Sequence, residues 1–198
     1  MPVFGAPNID KLGESEDIPG LIKALDYKKD GAVRAAAAET LMKVGYTDMR
    51  CVEPLIAVLG DPDWRVRRAA AVTLGSKRAR SAAWPLSALL RDPESEVREA
   101  AASALGFIHD IGSLSPLIAV LDDEAAAVRA VAAWSLGFIR DPRATEALVG
   151  ALEDKSVEVR QAVAKSLRLH GRQADAARAE TRPIATPPTS PTPPHEDR

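Results

Sequence analysis

Few residues in the sequence are suited to catalysis or metal binding. The single cysteine, Cys51, cannot form an internal disulfide, and the three histidines, His109, His170 and His195, stand far apart along the chain. No activated nucleophile, acid–base pair, phosphate-binding loop or metal-ligand cluster is recognisable. We therefore predict no catalytic residue, no cofactor and no bound metal.

Positive charge is concentrated in one stretch that begins at Trp64 and ends at Arg80. Its basic residues are Arg65, Arg67, Arg68, Lys77, Arg78 and Arg80. Trp64 could stack on a nucleotide base, but Asp61 and Asp63 precede the run and the whole chain has a net charge of −2. Because tracking phosphates needs a longer positive surface, the pattern disfavours nucleic acid as the partner.

The arginine at position 67 belongs to a repeated pattern built around a Val-Arg pair. The pairs are Val33-Arg34, Val66-Arg67, Val97-Arg98, Val128-Arg129 and Val159-Arg160. The last four valines follow one another at intervals of 31 residues. A fixed period of this length is typical of a solenoid.

Each Val-Arg pair opens an amphipathic helix, and a shorter apolar helix precedes it. In one copy the apolar positions recur at steps of three and four residues: Val97, Ala100, Ala101, Ala104, Leu105 and Ile108. The many alanines predict close contacts between helices. One hairpin of about thirty residues cannot offset its chain entropy alone, so we expect five stacked hairpins.

The repeats divide the chain into three parts. We predict an N-terminal cap over residues 1–16, with Phe4, Ile9 and Leu12 covering the first repeat, and a repeat array over residues 17–170. Residues 171–198 form a C-terminal tail that is rich in proline and threonine from about residue 183. This composition predicts disorder or polyproline II structure.

The ends of the repeated helices carry recognisable signals. Asp61-Pro62 and Asp92-Pro93 predict an N-cap aspartate followed by a proline in the first turn. Twelve residues after each valine, glycines or cations predict helix C-termini: Gly45, Arg78, His109, Arg140 and Gly171. We accordingly interpret His109 as a structural residue.

The unit Asp-Pro-x-x-x-Val-Arg-x-Ala-Ala-Ala-x-x-Leu-Gly, followed by a Pro-Leu-Ile-Ala-Val-Leu helix, resembles the HEAT-repeat superfamily, specifically the short HEAT-like repeats of phycobilisome lyases. The resemblance covers about residues 17–170. It implies an all-α, right-handed α-α superhelix, or solenoid, with first helices on the convex face and second helices on the concave face.

The resemblance also implies a hydrogen-bonded ladder between neighbouring repeats. Its turn aspartates and helix arginines would be Asp61, Asp92, Asp123 and Asp154 with Arg67, Arg98, Arg129 and Arg160. In the first unit, Lys28 stands where the aspartate is expected, which leaves the first rung open.

Relatives of this type include chromophore lyase subunits, iron-dependent hydroxylases, DNA-repair glycosylases and interaction scaffolds, and fold alone does not choose among them. The hydroxylases hold iron with several His-Glu pairs, whereas here only His195 is followed by a glutamate. A lyase role would make Cys51 a candidate attachment thiol, but a lone cysteine at the start of an apolar helix is more often a packing residue.

The remaining surface of the second helices is the best candidate for recognition. Positions two and six after each valine differ in chemistry between repeats: Ala35 and Glu39, Arg68 and Val72, Glu99 and Ser103, Ala130 and Trp134, Gln161 and Lys165. We predict that partner-binding residues on this concave face are Arg68, Glu99, Trp134, Phe138 and Gln161, with Phe107 extending the aromatic patch. Trp84, on a first helix, is a second unusual aromatic residue.

We predict a non-catalytic protein–protein interaction scaffold whose partner is a protein of unknown identity. The alternative is a bilin lyase-like or other modifying-enzyme subunit that acts with a second chain. The start of the chain shows no export signal and no apolar stretch is long enough to cross a bilayer. Together with the single cysteine, these features favour a cytoplasmic protein without membrane contact.

Overall fold

The computed structural model describes residues 5–44, 47–139, 141–172 and 175–176. These residues contain α-helices and 3₁₀ turns but no strand. The α-helices are α1 (Ile9–Glu14), α2 (Ile18–Ala24), α3 (Gly31–Lys43), α4 (Val52–Ala57), α5 (Trp64–Ser76), α6 (Ala83–Ala88), α7 (Ser95–Ile108), α8 (Leu114–Ala119), α9 (Ala126–Leu136), α10 (Pro142–Gly150) and α11 (Val157–Leu169). The predicted all-α, right-handed solenoid is confirmed.

Five hairpins form the array, and each pairs a shorter first helix with a longer second helix. The pairs are α2–α3, α4–α5, α6–α7, α8–α9 and α10–α11. From the second hairpin onward, the first helix ends in a 3₁₀ turn followed by an extended aspartate, such as Asp92 with φ −62° and ψ 144°. This change from helical to extended backbone reverses the chain direction. Before the array, α1 packs against α2 and α3 and buries Ile9; Phe4 lies outside the described residues.

The prediction that Asp61 and Asp92 are N-caps is wrong. Helix α5 begins two residues later than expected and is capped by Asp63, whose side chain accepts from the N–H of Arg65. Helix α7 begins after Glu94. The Asp61 carboxylate instead accepts from the N–H of Asp63 at 2.8 Å, which closes the turn before the helix.

The core follows the second helices, which pack directly on one another from α3 to α11. The repeated valines at positions 66, 97, 128 and 159 are completely buried. The buried core consists mainly of leucines, valines, isoleucines and alanines. Small side chains allow the second helices to approach closely.

Glycines make the closest of these contacts. A Cβ at Gly75 would lie 2.6 Å from the Cα of Ala104 on the next second helix. A Cβ at Gly137 would lie 2.6 Å from the hydroxyl of Ser166. That hydroxyl donates to the carbonyl of Ala133 at 2.8 Å, so it joins two neighbouring helices by a buried hydrogen bond.

An arginine–aspartate ladder joins the hairpins near the other end of the second helices. Arg67 donates through Nε and Nη2 to both carboxylate oxygens of Asp92 at 2.7 Å, and through Nη1 to the carbonyl of Asp61 at 2.9 Å. The equivalent inter-repeat pairs are Arg34–Asp61, Arg98–Asp123 and Arg129–Asp154. Arg160, in the last repeat, donates to the carbonyls of Asp154 and Lys155. The arginines at positions 34, 67, 98 and 129 thus fix their own turn and the turn of the next repeat.

The first repeat also forms its arginine–aspartate pair, although Lys28 replaces the aspartate expected in its turn. Arg34 pairs with Asp61 of the second repeat at 2.7 Å and donates to the carbonyl of Tyr27 in its own turn. Since each arginine bonds the carboxylate of the following repeat, the first repeat needs no aspartate of its own. Lys28 is exposed and lies 3.8 Å from Asp26.

Two non-glycine residues end second helices in the left-handed conformation. Arg78 has φ 50° and His109 has φ 54°, and the N–H of His109 bonds the carbonyl of Leu105. Gly171 has φ 76° at the equivalent place in the last repeat. Gly45 and Arg140 lie outside the described residues. His109 therefore has the helix-ending role that its position predicts.

We expect Gly75→Ala to lower the free energy of unfolding by about 1–3 kcal/mol, because the added methyl meets the backbone of Ala104. Gly150→Ala is the matched control: Gly150 is also helical, but a Cβ there would meet nothing within 4 Å. That control should leave stability unchanged or raise it by up to about 1 kcal/mol. Urea denaturation of both variants measures the difference, and equal effects would exclude tight packing at Gly75.

The ladder predicts a loss of stability in acid. Burial raises the pKa of the Asp123 carboxyl, but hydrogen bonds from Arg98 and the N–H of Ala125, with the charges of Arg98 and Arg129, outweigh it and lower the pKa overall. A carboxyl with a lowered pKa in the folded state stabilises the protein above its unfolded pKa, and this stabilisation is lost as the pH falls. The free energy of unfolding should therefore decrease below about pH 4.

Asp123→Asn tests this assignment. It should cost about 2 kcal/mol at pH 7, because the charge of Arg98 loses its less exposed carboxylate partner and keeps the exposed Glu124 carboxylate at 3.1 Å. The difference in the free energy of unfolding between this variant and the parent protein should become smaller as the pH falls below about 4. Asp122→Asn changes an exposed neighbour in the same turn and should have little effect at any pH. Similar losses from both variants would contradict the ladder's role.

Candidate binding surface

Surface side chains recur at equivalent positions of the second helices along the array, and we call this row the second-helix face. Its members are Glu39, Arg68, Val72, Glu99, Ser103, Phe107, Trp134, Phe138, Gln161, Lys165 and Leu169. They occupy positions two, six or ten after the repeated valine, and each is exposed or half-buried. Ala35, which the sequence also placed on this surface, is buried instead. In the first repeat the row therefore begins at Glu39.

Three aromatic rings of this face contact one another across two repeats. Trp134 on α9 lies between Phe107 on α7 and Phe138 just after α9, with ring-centroid distances of 5.3 and 4.5 Å. Both contacts are edge-to-face at 70°, which is a favourable arrangement for aromatic pairs. The imidazole of His109 stacks on Phe138 at 5.4 Å. We call these four residues the aromatic cluster.

The rings of the aromatic cluster pack against one another but remain accessible. Phe107 and Phe138 are 40% and 38% exposed, and Trp134 is half-buried between them. The cluster sits on helices whose spacing is fixed by glycine contacts and by the ladder. Exposed large apolar groups on such a frame are typical of protein recognition.

The structure brings together only part of the predicted site. Trp134 and Phe138 are in contact, but Arg68, Glu99 and Gln161 lie one to a repeat along the same row. Arg68 is 3.9 Å from Glu39 in the preceding repeat. These two residues help to line a shallow cleft of about 140 Å³ with Met42, Lys43 and Val72. The contact of His109 with Phe138 was not predicted from the sequence, because the repeat length does not give the stagger between neighbouring helices.

Trp84 lies away from this face, on the first helix α6, and is 86% exposed. Its ring is therefore available to solvent rather than packed against the next repeat. No other described aromatic side chain is within ring-contact distance of it. Trp84 provides a second exposed tryptophan in a different environment.

His170 lies where it contacts both its own repeat and the preceding one. The hydroxyl of Thr145 lies 2.6 Å from Nδ1 of His170, and Nε2 of His170 lies 3.2 Å from the carbonyl of Gly137. The carbonyl can only accept, so Nε2 donates to it, and in the neutral imidazole Nδ1 accepts from the hydroxyl. His170 thereby ties the last repeat to the one before it, at the edge of a cleft of about 510 Å³.

Among the described residues, no three His, Cys, Asp or Glu side chains are placed to hold a metal ion. His195 lies outside the described residues. Cys51 is 1% exposed and donates to the carbonyl of Asp48. Burial raises the pKa of its thiol, which disfavours the reactive thiolate.

Much of the basic stretch between Trp64 and Arg80 is engaged in ion pairs. Arg65 pairs with Asp63 at 2.7 Å, and Arg67 belongs to the ladder with Asp92. Lys77 is buried. Arg78 and Arg80 are exposed, and the preference against a nucleic-acid partner stays a prediction.

The fold and the second-helix face define an α-solenoid repeat protein. The family model described as HEAT repeats matches residues 18–106, 52–126 and 114–181, so the chain belongs to the HEAT-repeat family. Among functionally curated proteins, none matches this sequence. No described helix has the length and apolar character required of a membrane span.

Solved structures support the same architecture. The complex of CpcE and CpcF of phycocyanin lyase from Nostoc sp. PCC7120 is 27% identical over 86% of this chain and 72% of that chain, with a TM-score of 0.62. An engineered protein is 24% identical over 89% of this chain and 85% of that one, with a TM-score of 0.60. A designed armadillo repeat protein in complex with the peptide (KR)4 is 21% identical over 89% of this chain and 87% of that chain, with a TM-score of 0.57.

Burial of Cys51 predicts slow modification in the folded protein. A thiol-specific reagent such as dithionitrobenzoate should leave Cys51 unmodified at neutral pH and label it fully in denaturant, because the thiol is both inaccessible and protonated. Rapid labelling of the native chain, with no loss of helical circular dichroism, would show that Cys51 is available for chemistry.

Proposed function

We propose that this protein is a non-catalytic scaffold that binds a protein partner through its second-helix face. The observation that carries the proposal is the aromatic cluster, in which Trp134 presents a rigid apolar anchor between Phe107 and Phe138. Tryptophan and neighbouring aromatics contribute disproportionately to binding energy at protein interfaces. Second helices line the concave side in this reading, so a partner segment would lie along the row.

The polar residues of the face would supply specificity around this anchor. Glu99 lies before the cluster, whereas Gln161 and Lys165 lie after it, so one repeat differs from the next in charge and hydrogen-bonding capacity. Arg68 would extend the contact toward the second repeat. Because the packing positions are occupied by valine, alanine and leucine throughout, these surface residues can vary without disturbing the frame.

A modifying-enzyme subunit is the second candidate function. It is favoured by the 27% identity to the phycocyanin lyase complex, in which CpcE and CpcF are assembled together. In such a role this chain would act with a second chain and bind it through the same face. The burial of Cys51 argues against covalent attachment of a bilin to this protein. Incubation with a bilin followed by mass spectrometry would reveal an adduct if that argument failed.

Trp134→Ala and Trp84→Ala form a matched pair of tests. Both remove a tryptophan, but one lies on the second-helix face and the other on a first helix. Once pull-down with the full chain has identified a partner, Trp134→Ala should weaken its binding by about 2 kcal/mol or more, which is the cost of losing an anchor residue. Isothermal titration calorimetry measures the affinity.

Trp84→Ala should bind the partner as the parent protein does. Melting curves of both variants show whether the solenoid is intact. If Trp84→Ala abolished binding while Trp134→Ala left it unchanged, the partner surface would be on the first helices and the assignment would be wrong.

A further inference from the structure

We propose that the second-helix face is a polyproline-binding site, and that its occupant is the chain's own segment from Thr186 to Pro194. The proposal rests on the proposed function in placing recognition on the same face. It adds to that function the conformation of the ligand, which is a polyproline II helix, and the identity of one ligand, which is a segment of the same chain.

Three apolar side chains, one from each of three successive repeats, lie along this face. We call them the apolar ladder, as distinct from the arginine–aspartate ladder. Phe107, Phe138 and Leu169 each stand ten residues after the repeated valine, and Leu169 is 49% exposed. Their helices α7, α9 and α11 are successive neighbours. The rings of Phe107 and Phe138 are no more than about 10 Å apart, since each lies within 5.3 Å of Trp134, in keeping with the usual 8–10 Å between packed helices.

The segment has a three-residue period that matches this spacing. Residues 186–194 read Thr-Pro-Pro, Thr-Ser-Pro, Thr-Pro-Pro. A polyproline II helix has three residues per turn and rises about 3.1 Å per residue, so equivalent residues recur every 9 Å or so. Pro188, Pro191 and Pro194 therefore fall on one edge of such a helix, at about the interval between successive rungs of the apolar ladder.

The chemistry of the two surfaces is also complementary. Polyproline ligands dock on aromatic side chains, and they are preorganised, which reduces the entropy lost on binding. Residues 183–194 carry no charge, as suits the apolar rungs. Proline-rich segments offer many carbonyl acceptors and few N–H donors, and Trp134 contributes an indole N–H donor between two rungs.

The segment can reach the face within one chain. Ala176, the last described residue, is buried in the terminal repeat, and twelve positions separate it from Pro188. Twelve residues span up to about 40 Å when extended, whereas neighbouring repeats are separated by about 10 Å. In this arrangement Pro188 contacts Leu169, Pro191 contacts Phe138 and Pro194 contacts Phe107. A short linker gives an effective concentration of millimolar order, so a weak contact is sufficient for occupancy.

Acrylamide quenching of Trp134 tests the proposal in the full chain. Trp64→Phe and Trp84→Phe leave Trp134 as the single tryptophan. In this background, replacing Pro188, Pro191 and Pro194 together by alanine should raise the quenching constant of Trp134 about twofold, because docked contacts exclude water from an anchor side chain.

The matched control replaces Pro183, Pro187 and Pro193 by alanine. It removes as many prolines from the tail but none from the proposed docking edge, so quenching should remain that of the parent. Equal quenching in the parent and both triple variants, or equal increases in both variants, would overturn the proposal. Quenching that changes with protein concentration would assign the segment to a second copy and would also overturn it.

This measurement contains no partner protein. A failure of tail docking is therefore distinguishable from a failure of the proposed scaffold function, which is read from partner affinity alone. If docking is confirmed and partner binding depends on Trp134, the same proline replacements should lower the apparent Kd of the partner, in proportion to the fraction of molecules whose face the tail had left free.

Discussion

The buried arginine–aspartate pairs between repeats are the interaction on which the rest of the structure depends. Each arginine enters the interface with little solvent exposure, where an unpaired charge would be costly. The cost is offset only when the carboxylate of the next repeat and the carbonyls of its own turn are in place. The pairs therefore couple the position of each hairpin to that of the next hairpin, in addition to the coupling that apolar packing provides.

The ladder and the glycine contacts hold the second helices α5, α7 and α9 at two points each. Arg98 fixes the beginning of α7 relative to the next turn, while Gly106, further along the same helix, lies against Ser135. Two fixed points define both spacing and rotation, so side chains at six and ten residues after each valine face the same direction. The aromatic cluster results from this alignment, since Phe107 and Trp134 come from different repeats. The chemistry of this surface can then change by substitution while the frame stays constant.

Much of this frame could be predicted from the sequence, because its information is periodic. The interval of 31 residues gave the hairpins and the family resemblance, which in turn paired arginines with turn aspartates. The local signals were less reliable. Asp61 and Asp92 looked like N-caps, but their carboxylates accept from a nearby N–H and from the arginine of the preceding repeat. A long-range partner therefore displaced a local preference, and the same direction of pairing explains why Lys28 does not break the first rung.

The candidate surface was harder to derive from residue order. Trp134 and Phe138 are one helical turn apart, so their contact follows from periodicity. The contacts of Phe107 with Trp134 and of His109 with Phe138 depend on the stagger between two helices, which a repeat length alone does not give. The repeat period carries no information about the partner, because the candidate binding positions are those whose residues differ from one repeat to the next.

A double-mutant cycle on Arg67 and Asp92 measures the inter-repeat coupling most directly. The account predicts that Arg67→Ala and Asp92→Ala are each strongly destabilising, and that the double variant loses less than the sum of the two by about 2 kcal/mol or more. A second cycle on Arg67 and Asp123, which are not bonded to each other, should be additive. Additive losses at Arg67 and Asp92 would show that the ladder does not couple the repeats and would contradict the account.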